Sequence, residues 1–197
     1  MSGQIRRMLA AIALSLTMLC GPTLAFSEPP PSNLTEALQS ARLAGAGTLR
    51  WFGLKIYEAR LWVSRRGFDP NRFANEPFVL ELRYARSLSG STIAQASSEE
   101  IERLQPVDPQ RQQRWLQAMQ QIFPDVVDGD RIAGLNRPGR GVRFFLNDQP
   151  LGDIDDPTFA KAFFAIWLDP NTAKPDLRAQ LISALISDAR GAMAKPQ

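Results

Sequence analysis

Few side chains in this sequence could do chemistry, and two tyrosines stand out among them. Tyr57 and Tyr84 are the only tyrosines, and the chain has no histidine and one cysteine, Cys20. Ser-His-Asp machinery, internal disulfides and the usual zinc ligand sets are therefore excluded. Any reaction would use carboxylates, Lys, Arg, Tyr or hydroxyl groups. We expect no metal site and no cofactor.

Both tyrosines fall on predicted strands, where tyrosine is a common packing residue. A buried phenol also needs a hydrogen-bond partner, which makes Tyr57 and Tyr84 candidates for a pocket as well as for the core. The two aspartate clusters, around Gly129 and Gly152, lack the spacing of a calcium loop and are better explained as turn formers and a helix cap. No residue is assigned a catalytic role on this basis.

Another pattern that could suggest chemistry is Gly45-Ala46-Gly47, which is reminiscent of a phosphate-binding loop. It lacks the third glycine of a dinucleotide motif and is followed by strand-like residues. We interpret the two glycines as places where a strand bends or packs against another backbone.

The elements that must position these residues begin with strands. Residues 41–52 and 53–64 read as two strands that meet at Gly53. Residues 77–86 alternate between apolar and polar side chains, which predicts a half-buried strand. Its predicted inward residues are Phe78, Leu80, Leu82 and Tyr84.

Helices interrupt and then follow the strands. Apolar residues at helical spacing predict a helix over 93–104, and Asp108-Pro109 starts a second helix that ends before Pro124. Strands are predicted at 130–135 and 141–146, with a short third strand towards Ile154. Asp156-Pro157 then starts a third helix, and a last helix begins near Pro175. This order indicates an α+β fold. The predicted inward residues of the last two helices are Phe159, Phe163, Phe164, Trp167, Leu168, Leu177, Leu181 and Leu185.

The start of the chain has the layout of a secretory signal peptide. Arg6 and Arg7 precede an apolar run over 8–19, and small residues end at Ala25. The run is shorter than the ~20 residues that a membrane span needs. We predict a signal peptide over 1–25, cleaved after Ala25, and hence a periplasmic or secreted protein.

The rest of the chain is predicted to hold one domain. Residues 26–40 read as an extended spacer, 41–188 as the domain, and 189–197 as a flexible tail. The formal net charge of +3 includes two leader arginines, so the chain after cleavage is near neutral. This disfavours nucleic-acid binding, and no later segment is apolar enough to span a membrane.

The run 45–62 resembles the opening strands of chalcone isomerase-like proteins. In that family a Gly-x-Gly strand leads, ten residues later, to a tyrosine in a Lys-x-Tyr-x-Ala-x-Leu-aromatic pattern. The stretches 80–84, 123–131 and 156–168 resemble the bacterial secreted branch, and the likeness covers about 41–185. It implies an open-faced antiparallel β-sheet packed against a layer of α-helices, with a ligand cleft between them.

The resemblance also implies which residues to test. The plant enzymes cyclise chalcones to flavanones, and a plastid branch binds fatty acids without catalysis. Both place an arginine on the Gly-x-Gly strand, where this chain has Leu49. Arg50 would enter the cleft only through a bulge, because one residue reverses the face of a strand. Tyr57 matches the tyrosine of the fatty-acid binders.

The family comparison leaves no catalytic tyrosine, since residues 90–96 contain none. We predict Tyr57 as the first ligand-binding residue, followed by Lys55, which alternation places on the same face, then Arg50 and Tyr84. The leading hypothesis is a secreted, non-catalytic binder of an apolar or amphipathic small molecule, either fatty-acid-like or aromatic. The alternatives are an isomerase or lyase acting on an enone, using Tyr57, Lys55 and a bound water, and a structural or interaction protein without a small ligand, whose cleft would be filled.

Overall fold

The computed structural model describes Leu38 and residues 40–193, with side chains to Asp188, as an α+β fold. Six antiparallel strands form one sheet in which the spatial order of the strands is their order in the sequence. Every connection within the sheet therefore joins neighbouring strands. The strands are β1 (Ala41–Trp51), β2 (Leu54–Ser64), β3 (Phe78–Tyr84), β4 (Arg131–Arg137), β5 (Gly141–Leu146) and β6 (Gln149–Ile154).

Within the described part of the chain, five helices with defined ends pack on the sheet or on one another, as the predicted fold class requires. Two of them lie between β3 and β4 in the sequence, and three follow β6. A short 3₁₀ turn, Phe73–Asn75, precedes β3. The α+β architecture predicted from the sequence is confirmed. The helices are α1 (Gly90–Leu104), α2 (Pro109–Ile122), α3 (Pro157–Leu168), α4 (Pro175–Leu181) and α5 (Ser183–Met193).

Asp156 starts α3 and also holds α2 in place. Its carboxylate accepts hydrogen bonds from the backbone N–H groups of Thr158 and Phe159, and Pro157 occupies the first turn. This is the N-cap arrangement predicted by the Asp-Pro pair. The second carboxylate oxygen accepts a hydrogen bond from Trp115 Nε1 on α2 at 2.8 Å. One side chain therefore fixes the helix start and the contact between two helices.

Helix α3 lies across the inner face of the sheet and supplies the centre of the core. Its apolar residues Phe159, Phe163, Phe164, Trp167 and Leu168 are all buried. Phe163 lies at the middle of an aromatic cluster whose rings mostly meet edge to face, a favoured geometry for aromatic pairs. The inward stripe predicted for this helix is confirmed. The rings around Phe163 are those of Phe123, Phe144, Phe159, Phe164 and Trp167.

The two glycines at 45 and 47 allow α4 to lie directly on β1. A Cβ atom at Gly45 would collide with the backbone carbonyl oxygen of Gln180, and one at Gly47 would lie 2.7 Å from Leu177 Cδ1. At Gly45 the neighbouring atoms are backbone, so only a hydrogen atom fits, whereas at Gly47 they are side-chain atoms of Leu177 and Gln180. The interpretation as a site of close backbone approach is confirmed for Gly45, whereas Gly47 packs against side chains of α4.

The opposite face of the sheet carries a second, smaller apolar cluster that includes Leu38. Here too, alternate residues of neighbouring strands share a face. Its buried members on the sheet are Trp62, Val79, Ala133, Leu135 and Phe145.

The end of the chain differs from the single helix and loose tail that the sequence suggested. The chain breaks at Ile182 into α4 and α5, and α5 continues to Met193, into the segment predicted as a tail from Ala189. The predicted leader, most of the spacer, and residues 194–197 lie outside the described residues. Among the helices in the described part, none has the length and apolarity to cross a membrane.

Candidate ligand-binding site

A cavity of about 360 Å³ lies between the inner face of the sheet and helices α1 and α3, near the β1–β2 hairpin. Its size is within the range of small-molecule sites, roughly 300–1,000 Å³. Most of its lining is apolar. The strands contribute Leu49, Trp51, Ile56, Tyr57, Leu82, Tyr84 and Ile132; the helices and adjoining segments contribute Leu88, Thr92, Ile93, Ala96, Ser97, Glu100, Phe123, Phe163, Ile166, Trp167 and Lys174.

The two tyrosines are neighbours on the cavity wall. Tyr57 on β2 lies opposite Tyr84 on β3, and their rings meet edge to face with centroids 6.0 Å apart. The hydroxyl oxygen of Tyr57 accepts a hydrogen bond from Trp167 Nε1 at 3.0 Å. Within the described part of the chain, the hydroxyl of Tyr84 has no hydrogen-bond partner. Each phenol therefore has a hydrogen-bond donor left for a ligand.

Both phenols stay protonated at neutral pH. Burial raises the pKa of Tyr57 to about 12, an effect that the Trp167 hydrogen bond opposes and the charge of Glu100 reinforces. Burial likewise raises the pKa of Tyr84 well above its ordinary value of 10.0, and Tyr57 adds to this shift. Desolvation disfavours the charged phenolate, so the pair can donate hydrogen bonds but is poorly suited to remove protons.

A β-bulge decides which side chains of β2 face the cavity. Leu49 pairs with Tyr57 and Arg50 pairs with Lys55, so Ile56 is an extra residue in β2. Ile56 and Tyr57, although consecutive, both line the cavity. Lys55 lies outside it, and its Nζ is 3.6 Å from the Glu58 carboxylate. Simple alternation, which placed Lys55 with Tyr57, does not hold across this bulge.

Arg50 also lies outside the cavity. The extra residue is on β2, so the alternation of β1 is undisturbed, with Leu49 and Trp51 facing the cavity and Arg50 facing away. The guanidinium of Arg50 is exposed and donates a hydrogen bond to the backbone oxygen of Gly53 at 3.2 Å. Leu49, directly opposite Tyr57, occupies the wall where the family resemblance implied an arginine.

Sequence reasoning missed the polar groups that the helices bring to the cavity. Lys174, just before α4, contributes an exposed side chain to the lining, and no carboxylate of the described residues pairs with it. Glu100 on α1 also lines the cavity, but it is engaged by Arg103 Nε at 2.8 Å. Lys174 is therefore the cavity's unpaired charge within the described region. Its position in a loop gave no signal in the sequence.

The hydroxyls of α1 in the lining are used locally. Ser97 donates a hydrogen bond to the backbone oxygen of Ile93 at 2.8 Å, and Thr92 is hydrogen-bonded to Ser89 at the start of the helix. Within the described residues neither hydroxyl is hydrogen-bonded to a base, so neither is set up as an activated nucleophile. In the described part of the chain, no group of three or more His, Cys, Asp or Glu side chains is arranged to hold a metal ion.

Comparison with known proteins places this geometry in a family. An uncharacterized protein of Haemophilus influenzae is 32% identical over 138 residues, which is 70% of this chain. The match spans 66% of that relative's length, slightly less than two thirds. The structure is similar to that of a fatty-acid binding protein of Arabidopsis thaliana, with a TM-score of 0.62 and 15% sequence identity. That match covers 86% of this chain and 98% of the Arabidopsis chain.

The Arabidopsis structure shares the fold at low sequence identity, so it supports the architecture and not a common ligand. The family is assigned from the sequence. Residues 30–183, which include all six strands and the cavity wall, match the family model described as chalcone isomerase-like. This chain belongs to the chalcone isomerase-like family.

Proposed function

We propose that this protein binds a small amphipathic molecule, with a fatty-acid-like or aromatic body and an acidic head group, and does not catalyse its conversion. One observation carries the proposal: a mostly apolar cavity of about 360 Å³ contains two neutral phenols and has one unpaired cation among its described lining residues. An apolar body suits the walls because each Å² of apolar surface removed from water contributes about 25 cal/mol.

Three polar groups of the cavity favour an acidic head group, and the opposing charge of Glu100, which also lines the cavity, is paired with Arg103. Tyr57 already accepts a hydrogen bond from Trp167, so its own proton is available to an oxygen atom of the ligand. Tyr84 offers a second donor beside it. Lys174 supplies a positive charge from the helix side of the cavity. Hydrogen bonds to a charged acceptor are the stronger ones, which favours a carboxylate over a neutral head group.

The enzyme alternative loses its geometric basis. It required Lys55 beside Tyr57, and the β-bulge places Lys55 outside the cavity, against Glu58. The acid/base set of that alternative also included Tyr57, whose phenol is poorly suited to act as a base because burial raises its pKa to about 12. The structural-protein alternative required a filled cleft, which an open volume of about 360 Å³ does not favour.

A location outside the cytoplasm completes the proposal. The positive start, short apolar run and small residues before Ala25 support export and cleavage of the leader. In such a compartment an apolar acid has low solubility, and a carrier would keep it in solution. The fatty-acid binding protein that shares this fold shows that the architecture is compatible with such a ligand.

Native mass spectrometry tests the binding function. The protein is exported to a bacterial periplasm, purified without detergent and weighed before and after denaturation. We expect a reproducible mass increment that denaturation releases, identified as a lipid or an aromatic acid. A bare polypeptide mass, together with no uptake of added fatty acid, would contradict the proposal.

A matched pair of variants links the increment to the cavity. Ala96 is exposed on α1 and lines the cavity, so Ala96→Trp obstructs it without disturbing the core. Gln95, the preceding exposed residue, does not line the cavity, and Gln95→Trp is the control. The increment is expected to disappear in the first variant and to persist in the second.

A further inference from the structure

The turn between β1 and β2 presents three large apolar side chains to solvent. Trp51 is 62% exposed, Phe52 88% and Leu54 55%. The rings of Trp51 and Phe52 are in contact, with centroids 4.9 Å apart. In the described region only Val127 and Ile186 are comparably exposed, and they lie on other elements. Apolar exposure is therefore concentrated at residues 51–54, the hairpin tip.

The backbone conformation of the hairpin tip does not favour all of the residue types found there. Phe52 has a φ of 47° and Gly53 a φ of 78°. Asn, Asp or Gly suits the first of these positions, whereas a bulky side chain is strained there. Phe52 gains almost no packing in return, since it is nearly fully exposed. A residue that breaks a local rule without a structural benefit indicates a functional surface.

Two cations flank the apolar residues. Arg50 and Lys55 are opposite each other in the hairpin, and both are exposed. Arg50 contacts no carboxylate within the described residues, and Lys55 shares Glu58 with Arg60. Aromatic side chains favour the interface between lipid and water, and Lys and Arg next to them are attracted to anionic head groups.

The hairpin tip also adjoins the cavity. Trp51 belongs to both, because its side chain is largely exposed and still contributes to the cavity lining. We infer that the hairpin tip docks this protein on the surface of an anionic lipid bilayer, with Trp51 and Phe52 at the depth of the head groups and Arg50 and Lys55 against the phosphates. Docking places the cavity beside the bilayer, so an amphipathic molecule can move between them along Trp51.

Docking goes beyond ligand binding and does not depend on it, since vesicle binding is measured without added ligand. In flotation with phosphatidylglycerol vesicles we expect the protein to move with the lipid, and with phosphatidylcholine vesicles to bind at least tenfold more weakly. Phe52→Asn should weaken binding to phosphatidylglycerol about tenfold. Asn tolerates the positive φ, so this variant keeps the fold and a thermal midpoint at least as high.

The control is Ile186→Gln, which removes an exposed apolar side chain from α5 and should leave vesicle binding unchanged. The double substitution Arg50→Gln with Lys55→Gln should reduce binding to phosphatidylglycerol about tenfold and remove most of its salt dependence. Because every variant carries the same chain ends, differences in vesicle binding between variants report on the substituted residues.

Tryptophan fluorescence tests whether the hairpin tip is the part of the protein that contacts the lipid. Trp51 is exposed and the other three tryptophans, Trp62, Trp115 and Trp167, are buried. Lipids brominated near the head group should therefore quench Trp51, and Trp51→Phe should abolish the quenching while keeping vesicle binding. Equal flotation of Phe52→Asn and the parent protein without quenching would overturn the proposal. So would a doubled mass in lipid-free solution with Trp51 shielded, which would assign the hairpin tip to a contact between two copies.

Discussion

The indole N–H of Trp167 donates a hydrogen bond to the phenol oxygen of Tyr57 at 3.0 Å, and so joins α3 to β2 across 110 residues of sequence. Both side chains line the cavity. The bond fixes the ring of Tyr57 from the oxygen side and leaves its proton free. It therefore serves the fold and the candidate site together.

Replacing Tyr57 tests this pairing. Tyr57→Phe leaves the buried indole N–H of Trp167 without its acceptor, and we expect a loss of about 1–3 kcal/mol in the free energy of unfolding. Urea denaturation of Tyr57→Phe, Trp167→Phe and the double variant measures the coupling between the two residues. Additive effects of the two substitutions would show that the hydrogen bond contributes no coupling energy.

The raised pKa values predict a stability loss in alkali. In the unfolded chain the phenol of Tyr57 titrates near 10.0, and in the fold burial raises its pKa to about 12. The unfolded state therefore loses its proton first, and the contribution of Tyr57 to the free energy of unfolding should be constant below pH 10.0 and fall as the pH rises towards about 12. Denaturation at several pH values measures this. Tyr57→Phe should show a smaller fall.

The same titration can be followed directly. The chain has only two tyrosines, and burial raises the pKa of both. Tyrosinate absorbance should therefore remain absent at pH 10.0 in the folded protein and appear there after denaturation. Half-titration of either phenol near its ordinary pKa in the folded state would contradict the burial of the pair.

Lys174 is expected to select the charge of the ligand. Lys174→Gln removes the cation from the lining, so affinity for a fatty acid should fall about fivefold, a coupling typical of a partly exposed charge pair. Affinity for the corresponding fatty alcohol should not change. Lys161→Gln, at an exposed lysine of α3 outside the cavity lining, is the control. Calorimetric titration measures the affinity of each variant for both ligands. Equal losses of affinity for the acid and for the alcohol in Lys174→Gln would exclude a role for the charge of Lys174.

Leu49 offers the converse experiment. Its side chain faces the cavity opposite Tyr57, so Leu49→Arg should bring a guanidinium to the phenol pair and tighten fatty-acid binding about tenfold. The control is Thr48→Arg, at the neighbouring position of β1, which does not line the cavity. Unchanged or weaker acid binding by a folded Leu49→Arg protein would argue against a carboxylate at this wall.

Much of the fold could be predicted because its boundaries are encoded locally. Asp108-Pro109 and Asp156-Pro157 each start a helix where the sequence indicated, and Gly53 lies in the turn between β1 and β2. The break at Ile182 could not be predicted. Leu177, Leu181 and Leu185 keep helical spacing across it, and no Gly or Pro marks the position.

The candidate site was only partly predictable, for reasons that lie in its geometry. Tyr57 and Tyr84 line the cavity, as their chemistry and the resemblance suggested, and their role in binding stays a prediction. The extra residue Ile56 places Lys55 outside the cavity. No residue type in this part of β2 predicts a bulge. Trp167 and Lys174 reach the cavity through tertiary packing, which no local spacing encodes.

The glycines at 45 and 47 have a mechanical consequence for the cavity. Because β1 has no side chain at Gly45, the backbone at the end of α4 lies directly against the strand, and at Gly47 the side chains of Leu177 and Gln180 fill the space that a Cβ atom would take. Lys174 immediately precedes this helix, and Leu49 lies two residues beyond Gly47 on the same strand. The helix that follows Lys174 is thus held by close packing to the strand that carries Leu49. We therefore expect the cavity to widen for a ligand at α1 and the hairpin tip rather than between α4 and β1.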